Sequence, residues 1–506
     1  MNSILLTHTY YLRFDQKSWD AMQPYPPLGT LYAASVLRQN GYQPALFDPM
    51  LAESERQWEL ALEKHQPRFA IFYEDNFNYL SKMCLLRMRQ AAFQMIAAAR
   101  QKGCVVLVCG ADASDHAEEY LRSGANYVLV GEGEATLIEL LGHLEGRSGP
   151  SPENILGLAY LRDDLLQCTP RRPDIRDLDA IPFPAWDLLD IQAYRAAWLK
   201  NHAYFSVNVV TTRGCPYHCN WCAKPIWGQR YNSRSPENVV AELKWLQKNF
   251  APDHIWFADD IFGLKPGWLE KFAQLAEKEG LHIPFKCLSR ADLLARPGEV
   301  AALQRAGAKT VWIGAESGSQ KILDAMDKGT RVEQIAQVSR LLHSHGIEVG
   351  FFLQFGYPGE TLEDIEKTLQ LVRDCSPDDI GISVSYPMPG TKFFEAVQAQ
   401  MGVRQNWYDS NDLAMLYQGP FSTAFYRQLH SLVHHEFRAR KAYRQLRRQT
   451  TLPVALRSVL RLAFNLAAWP AARWRLNRLA RQANPPLQLP HLAPEQAAAP
   501  TPQESG

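Results

Sequence analysis

The sequence has no run of about 18 uninterrupted apolar residues, so no segment reads as a helix spanning a bilayer. It has no surplus of one charge: 54 Lys and Arg against 53 Asp and Glu leave a net +1, which excludes a chain-wide attraction to nucleic acid or anionic surfaces. Nine cysteines in 506 residues are too few for a disulfide scaffold. No internal repeat is visible. With 46% apolar and 21% charged residues, the composition excludes a largely disordered or collagen-like chain. The opening Met1-Asn2-Ser3-Ile4-Leu5-Leu6-Thr7 reads as a short buried strand and not as a secretory leader. A cytoplasmic location is expected. The length asks for two or three domains.

What is present is a repeated alternation of strands and helices. Ser3–Thr7, Ala45–Phe47, Phe69–Tyr73, Cys104–Cys109 and Tyr127–Val130 read as buried strands, with helical periodicity near 29–39, 54–64, 85–102, 115–122 and 134–143. This predicts an N-terminal doubly wound, Rossmann-like, five-stranded parallel sheet over 1–145, with ligand-facing loops after each strand. Residues 146–205, rich in Pro, Asp and Arg, read as a linker with a hairpin of Ile155–Leu161 against Leu165–Thr169.

A second series follows over 206–420. Its strands are Ser206–Thr211, His254–Ala258, Pro284–Leu288, Thr310–Ala315, Glu348–Gln354 and Ile380–Ser385, each but the last followed by a helical pattern. The repeats predict a partial (β/α)6 TIM-type barrel within an α/β chain, with chemistry at the carboxyl ends of the strands. Residues 421–484 read as a basic helical C-terminal region. Between Arg427 and Gln482 stand thirteen Lys and Arg and one acid, Glu436, and Val454–Leu466 reads as a basic amphipathic helix. Residues 485–506, rich in Pro, Ala and Gln, are expected to be disordered.

Six cysteines (Cys84, Cys104, Cys109, Cys168, Cys287, Cys375) lie scattered among apolar segments and read as small core residues. The other three fall within Arg213-Gly214-Cys215-Pro216-Tyr217-His218-Cys219-Asn220-Trp221-Cys222, directly after the first barrel strand. Three thiolates on one loop, at spacings of four and three, can converge on a soft metal centre, and three ligands on a four-iron cubane leave one iron open. A zinc site or buried thiols are the alternatives; zinc ordinarily takes a fourth protein ligand.

Cys-x-x-x-Cys-x-x-Cys after the first strand of a partial barrel resembles the radical S-adenosylmethionine (SAM) enzymes, over roughly 206–395. The resemblance implies a 4Fe-4S cluster on Cys215, Cys219 and Cys222 whose open iron chelates SAM, and reductive cleavage of SAM to a 5′-deoxyadenosyl radical. It implies that Trp221 packs beside the adenine. Asp259 and Asp260, after the second strand, stand where that family contacts the methionyl amino group, although a Gly-Gly-Glu-like segment is usual there. Ser289 and Arg290 resemble the pair that contacts ribose and carboxylate. Glu316, within Gly314-Ala315-Glu316-Ser317-Gly318, and Gly356, within Gly356-Tyr357-Pro358-Gly359-Glu360, stand at the next two strand ends.

The N-terminal sheet resembles the cobalamin-binding domain that precedes many such barrels. Pro27, Leu28 and Gly29 open its first long helix, Gly110 follows its fourth strand, and Gly131, Glu132 and Gly133 follow its fifth. An Asp-x-His-x-x-Gly motif is missing after the first strand, where the chain reads Thr7-His8-Thr9-Tyr10. Cobalamin is therefore expected without a protein His as lower ligand. The resemblance implies methyl transfer to an unactivated carbon, or a radical rearrangement or cyclisation, on a small-molecule substrate, with flavodoxin or ferredoxin as electron donor. A tRNA-modifying methylthiotransferase is a second reading, weakened because Cys84, Cys104 and Cys109 lack that group's second trio. A non-enzymatic cobalamin or redox sensor is a third. For the basic segment 427–482, a solvated helical cap, a membrane-surface contact at the inner membrane and nucleic acid are weighed in that order.

Overall fold

The computed structural model describes residues 4–77, 85–147, 149–223, 226–447 and 452–484; Cys84 and the tail 485–506 lie outside them. The apolar runs of the first third form strands because both faces of the sheet they enter are covered. β1 (Ile4–Thr7), β2 (Ala45–Leu46), β3 (Phe69–Tyr73), β4 (Val105–Cys109) and β5 (Tyr127–Leu129) are parallel, in the order β2-β1-β3-β4-β5. Chain direction across the sheet reverses between β1 and β3, the place where open α/β sheets hold ligands.

The sheet has seven strands and not five. The hairpin read as part of a linker adds β6 (Leu158–Arg162) and β7 (Leu165–Cys168), antiparallel, beyond β5. The free edge of β5 offers unpaired backbone groups, and the hairpin pairs with it, Val128 opposite Ala159. Cys168, on the outermost strand, is exposed, unlike the buried Cys104, Cys109, Cys287 and Cys375. The rest of 146–205 is also packed. A helix over Ile191–His202 that the periodicity did not suggest is fastened by Tyr194, which donates to Asp48 at 2.6 Å, and by Trp198, which donates to the Pro24 carbonyl at 2.8 Å.

The second sheet follows the sequence repeats. β8 (Ser206–Val209) leads into a small antiparallel ribbon of β9 (Thr212–Arg213) and β10 (Asn232–Ser233). Then come β11 (His254–Phe257), β12 (Phe285–Ser289), β13 (Ala308–Glu316), β14 (Glu348–Phe355) and β15 (Asp379–Val384). The six main strands lie in chain order, all parallel, as an open half-barrel with helices outside. One apolar cluster runs from Tyr25, Leu28 and Tyr32 of the first domain into Val207, Val209 and Ile255 of the second. The two carboxyl edges thus meet across a continuous core.

After the barrel, Thr423–Arg447 and Leu452–Ala480 form a pair of long helices. Arg373, on the barrel helix Leu362–Cys375, docks the first of them through Glu436 at 2.6 and 3.0 Å.

Candidate functional site

The cysteine loop is held from below by two residues that the barrel places there. Gly214 sits at φ +81, and a Cβ on it would collide with the Arg230 carbonyl, so only glycine makes this turn. Asp259, at the end of β11, accepts four hydrogen bonds: from the Thr211 and Thr212 backbone N–H at 2.7 and 2.8 Å, and from their hydroxyls at 2.8 and 2.9 Å. Burial pushes its carboxyl up to about 6 against those four bonds, which pull it down. Its acceptor capacity is committed to the segment that launches the loop. Asp260, beside it, is exposed.

The loop then closes around Asn220. Its amide donates to the Ala325 carbonyl at 2.8 Å, its side-chain oxygen accepts from the Tyr357 hydroxyl at 2.8 Å, and its backbone bonds to Met326 and Phe393. One residue between Cys219 and Trp221 thereby ties the cysteine loop to the turns after β13 and β14. Cys215 and Cys219 are buried and Cys222 is half-buried.

Two cations converge on Cys219. Arg290, just after β12, brings Nη1 to 4.0 Å from Cys219 Sγ; it lies 3.5 Å above the Tyr217 ring, pairs with Asp292 at 2.9 Å and donates to the Lys328 carbonyl at 2.7 Å. Lys328 is buried, with Nζ 2.7 Å from Glu316 Oε1 and 5.9 Å from the centre of the Trp221 ring. Burial by itself would depress the Lys328 ammonium, but Glu316 and Cys219 outweigh it and hold it above the usual range. Glu316 reaches this position through a bulge in β13 and a left-handed backbone at φ +56. Gly314 makes room, since a Cβ there would lie 2.6 Å from both Glu316 Oε1 and Lys328 Nζ.

The sequence reading named Cys219, Trp221, Arg290 and Glu316, and the structure brings them together. It missed Lys328 and Asn220. The local signal for Lys328 is its setting, between Asp327 at φ +52 and Gly329 at φ +68, a turn that forces the side chain inward. Ser289 is buried at the end of β12. Trp221 packs against the apolar cluster that includes Met326 and Tyr357; its Nε1 is buried without a partner among the described residues. Gly356, at φ +81, donates its N–H to Glu360 at 2.7 Å, and Tyr417 donates to its carbonyl. Burial raises the Glu360 carboxyl to about 8.

The residues named on the N-terminal sheet hold the protein to itself. Cβ atoms at Gly29 and Gly110 would strike Glu74, and one at Gly133 would strike Cys109 and Tyr73; these glycines let loops at the sheet edge approach closely. Leu28 is buried behind Pro27, which caps its helix. Gly131 faces Arg171. Glu132 pairs with Arg213 at 2.8 Å and Glu134 with the same guanidinium at 2.7 Å, all three buried. Arg213 immediately precedes Gly214, so this fork ties the loop after β5 to the root of the cysteine loop. His8 has both ring nitrogens engaged, Nε2 with Asp48 at 2.9 Å and Nδ1 accepting from the Tyr10 N–H at 3.2 Å.

Cys219 beside two cations, on one loop with Cys215 and Cys222, is a setting suited to an iron–sulfur cluster, whose thiolates are anionic, although among the described residues the three thiols are not drawn together into one ligand group. At the seam between the sheets, Asp75 Oδ2 and Asn208 Oδ1 are buried without hydrogen-bond partners among the described residues. Such orphans call for a polar ligand, and the amide-bearing rim of a corrin fits them.

Residues 209–372 match the radical SAM superfamily, so the matched segment opens at the end of β8 and includes the whole cysteine loop. The chain is similar to an uncharacterized methyltransferase of Pyrococcus horikoshii, 32% identical over 283 residues, covering 55% of this chain and 60% of that protein. It is also similar to the anaerobic magnesium-protoporphyrin IX monomethyl ester cyclase of Rubrivivax gelatinosus, 27% identical and covering 53% of this chain and 48% of the relative. The chain thus spans about half to three-fifths of these relatives. Among solved structures, the radical SAM methyltransferase TsrM of Kitasatospora setae, determined with cobalamin and a [4Fe-4S] cluster bound, superposes with a TM-score of 0.64 at 19% identity. That match covers 80% of this chain and 79% of TsrM. The likeness of fold reaches well beyond the radical SAM domain and takes in the N-terminal sheet.

Proposed function

We propose that this chain is a cobalamin-dependent radical SAM enzyme that transfers a methyl group to an unactivated carbon of a small-molecule substrate. The observation that carries the reading is the junction at Arg213 and Gly214. The cysteine loop of the radical SAM domain and the ligand-facing edge of the N-terminal sheet are joined there by one buried fork, Arg213 with Glu132 and Glu134. Such a fork holds two cofactor sites in a fixed relation, as the reaction requires. When bound, the cluster supplies the electron that cleaves SAM, and cobalamin carries the methyl group.

The chain's own residues have separable tasks. Cys215, Cys219 and Cys222 hold the cluster. Arg290 and Lys328 place positive charge beside Cys219, which favours an anionic cluster and a bound carboxylate. Glu316 offers a carboxylate on the same face, suited to an ammonium group. Asp259 and Asn220 position the loop and touch no ligand. Trp221 offers a half-buried ring edge suited to a purine. Flavodoxin or ferredoxin is the proposed electron donor. The methyltransferase name of the Pyrococcus relative supports group transfer. The cyclase name of the Rubrivivax relative favours, as a second reading, ring closure on the same scaffold.

Anaerobic reconstitution with iron, sulfide and hydroxocobalamin tests the proposal. Bound iron, bound cobalamin and 5′-deoxyadenosine formed on adding dithionite are expected. Iron and adenosyl product without retained cobalamin would discard methyl transfer through cobalt. Retention of zinc alone, with no product, would overturn the radical reading.

A further inference from the structure

A helix on a water-facing surface ordinarily turns its apolar stripe inward. Leu452–Ala480 does the reverse. The positions it buries against the protein are Ser458, Asn465, Ala472 and Leu476, a narrow and largely polar or small seam. The Ser458 hydroxyl donates to Gln445 at 3.2 Å, Asn465 bonds to His435 at 2.9 Å, and Gln428 donates to the Ala472 carbonyl at 3.2 Å. Its large apolar residues are exposed: Leu452 at 84%, Phe464 at 66%, Leu460 and Trp474 at 63% and Leu456 at 61%. At 3.6 residues per turn, Leu452, Leu456, Leu460 and Trp474 fall opposite the buried seam. The amphipathic helix read from the sequence is therefore present and longer, with its apolar side turned outward.

Charge identifies what covers that side. From Phe437 to Pro494 the chain has no Asp or Glu. Arg457, Arg461 and Arg475 lie on one flank of the apolar face, and their side chains make no ion pair with the described residues. Arg473, on the other flank, reaches Glu366 at 3.5 Å. An apolar strip with unneutralised guanidinium groups along one flank matches the acyl boundary and phosphate layer of an anionic leaflet. A nucleic acid would satisfy the arginines but leave the Leu, Phe and Trp side chains in water. A second copy of the chain would set arginine flank against arginine flank or demand acids that the segment lacks. The helix has the length and composition of a span, but its longest stretch without a charge is Leu462–Ala472. That stretch covers roughly half of a hydrocarbon core of about 30 Å, so the helix suits the plane of the interface.

We propose that Leu452–Ala480 docks this protein onto an anionic lipid surface, lying in the interface with Leu456, Leu460, Phe464 and Trp474 in the acyl boundary. The inference is independent of the catalytic reading, because the helix lies outside the radical SAM domain.

Flotation of the full chain with vesicles tests it, using phosphatidylcholine alone or with about one third phosphatidylglycerol. The chain is expected to float with the anionic vesicles and to stay in buffer with the neutral ones. Arg457→Gln with Arg461→Gln removes two headgroup contacts and is expected to weaken binding roughly thirtyfold. Leu460→Glu with Phe464→Glu is expected to abolish it. Both pairs are exposed, so the melting temperature is expected to hold, and Cys219→Ala is expected to float as the parent does. Equal recovery from buffer and from both vesicles overturns the proposal. So does a dimer in buffer that Leu460→Glu with Phe464→Glu converts to monomer, or tight binding to bulk tRNA without flotation.

Discussion

The two parallel sheets present their carboxyl edges to one seam, and they spend their acidic and basic groups in opposite ways. At the N-terminal edge the polar groups are closed on one another: Glu132 and Glu134 on Arg213, His8 on Asp48, Glu74 on the Thr9 hydroxyl at 2.8 Å. Among the described residues, what stays open there is uncharged hydrogen-bonding capacity and two carboxylate oxygens, Asp75 Oδ2 and Glu134 Oε2. At the barrel edge the charges are aimed. Arg290 and Lys328 both face Cys219, and Glu316 stands behind Lys328. An edge of the first kind suits a large ligand taken up by shape and amide hydrogen bonds. An edge of the second kind suits a small zwitterion beside an anionic cluster. On the proposed function the barrel edge is the chemical one, and the N-terminal edge is a mount for what faces it.

The largest effect comes from emptying the barrel edge. Cys219→Ala removes the thiol that both cations face, and iron content and 5′-deoxyadenosine formation are expected to fall to background while urea denaturation stays close to the parent. Full iron in that variant would mean that the cluster lies elsewhere. The next breaks the fork between the edges. Arg213→Met leaves Glu132 and Glu134 buried without a cation, and loss of one partner from such a buried set costs about 3–5 kcal/mol. The expected result is a lower denaturation midpoint, partly restored when both acids are also changed to Gln. A midpoint unchanged by Arg213→Met would show that the fork is not what joins the edges.

The strands were legible because each is a short apolar run bounded by polar turns, and the six barrel strands fall where those runs lie. The hairpin Leu158–Cys168 was legible as a hairpin but not as part of the sheet, since its partner β5 is chosen by which edge remains uncovered. The cysteines were legible because a loop motif is local. Lys328 was not, because it meets Cys219 across more than a hundred residues of chain and only the turn of Asp327 and Gly329 marks it. For Asp259, Glu132 and Gly29 the residue type was readable and the partner was not. Each was read as facing a ligand, and each has a close protein partner in this structure. A carboxylate or a glycine at a strand end reports that something comes close, and tertiary packing decides what that is.

A smaller effect separates the edges by pH. Glu360, behind Gly356 on the barrel side, is moved by burial from an ordinary value of 4.5 to about 8. Between those values the folded protein holds a proton that the unfolded chain has released. Stability therefore falls as pH rises through the window and levels off above about 8. Glu360→Gln removes that slope and can still accept from the Gly356 N–H. The variant is expected to gain about 2–4 kcal/mol on the parent between pH ~5 and ~9, read as the difference in urea midpoints. A constant difference across that range would place the titration elsewhere.

The smallest expected effect lies at the N-terminal edge, and it is expected to be none. His8 stands at the end of β1, where a ring nitrogen would have to turn outward to reach a bound cobalt. Nδ1 already accepts from the Tyr10 N–H, which leaves the ring proton on Nε2 facing Asp48. Freeing either nitrogen would strand a buried polar group, at a cost of about 1–3 kcal/mol. His8→Gln is therefore expected to leave the visible and paramagnetic resonance spectra of bound cobalamin unchanged, even where it lowers the melting temperature. Loss of nitrogen hyperfine splitting in the variant would make His8 a cobalt ligand. It would also give the N-terminal edge an aimed group of its own, removing the contrast between the two sheets.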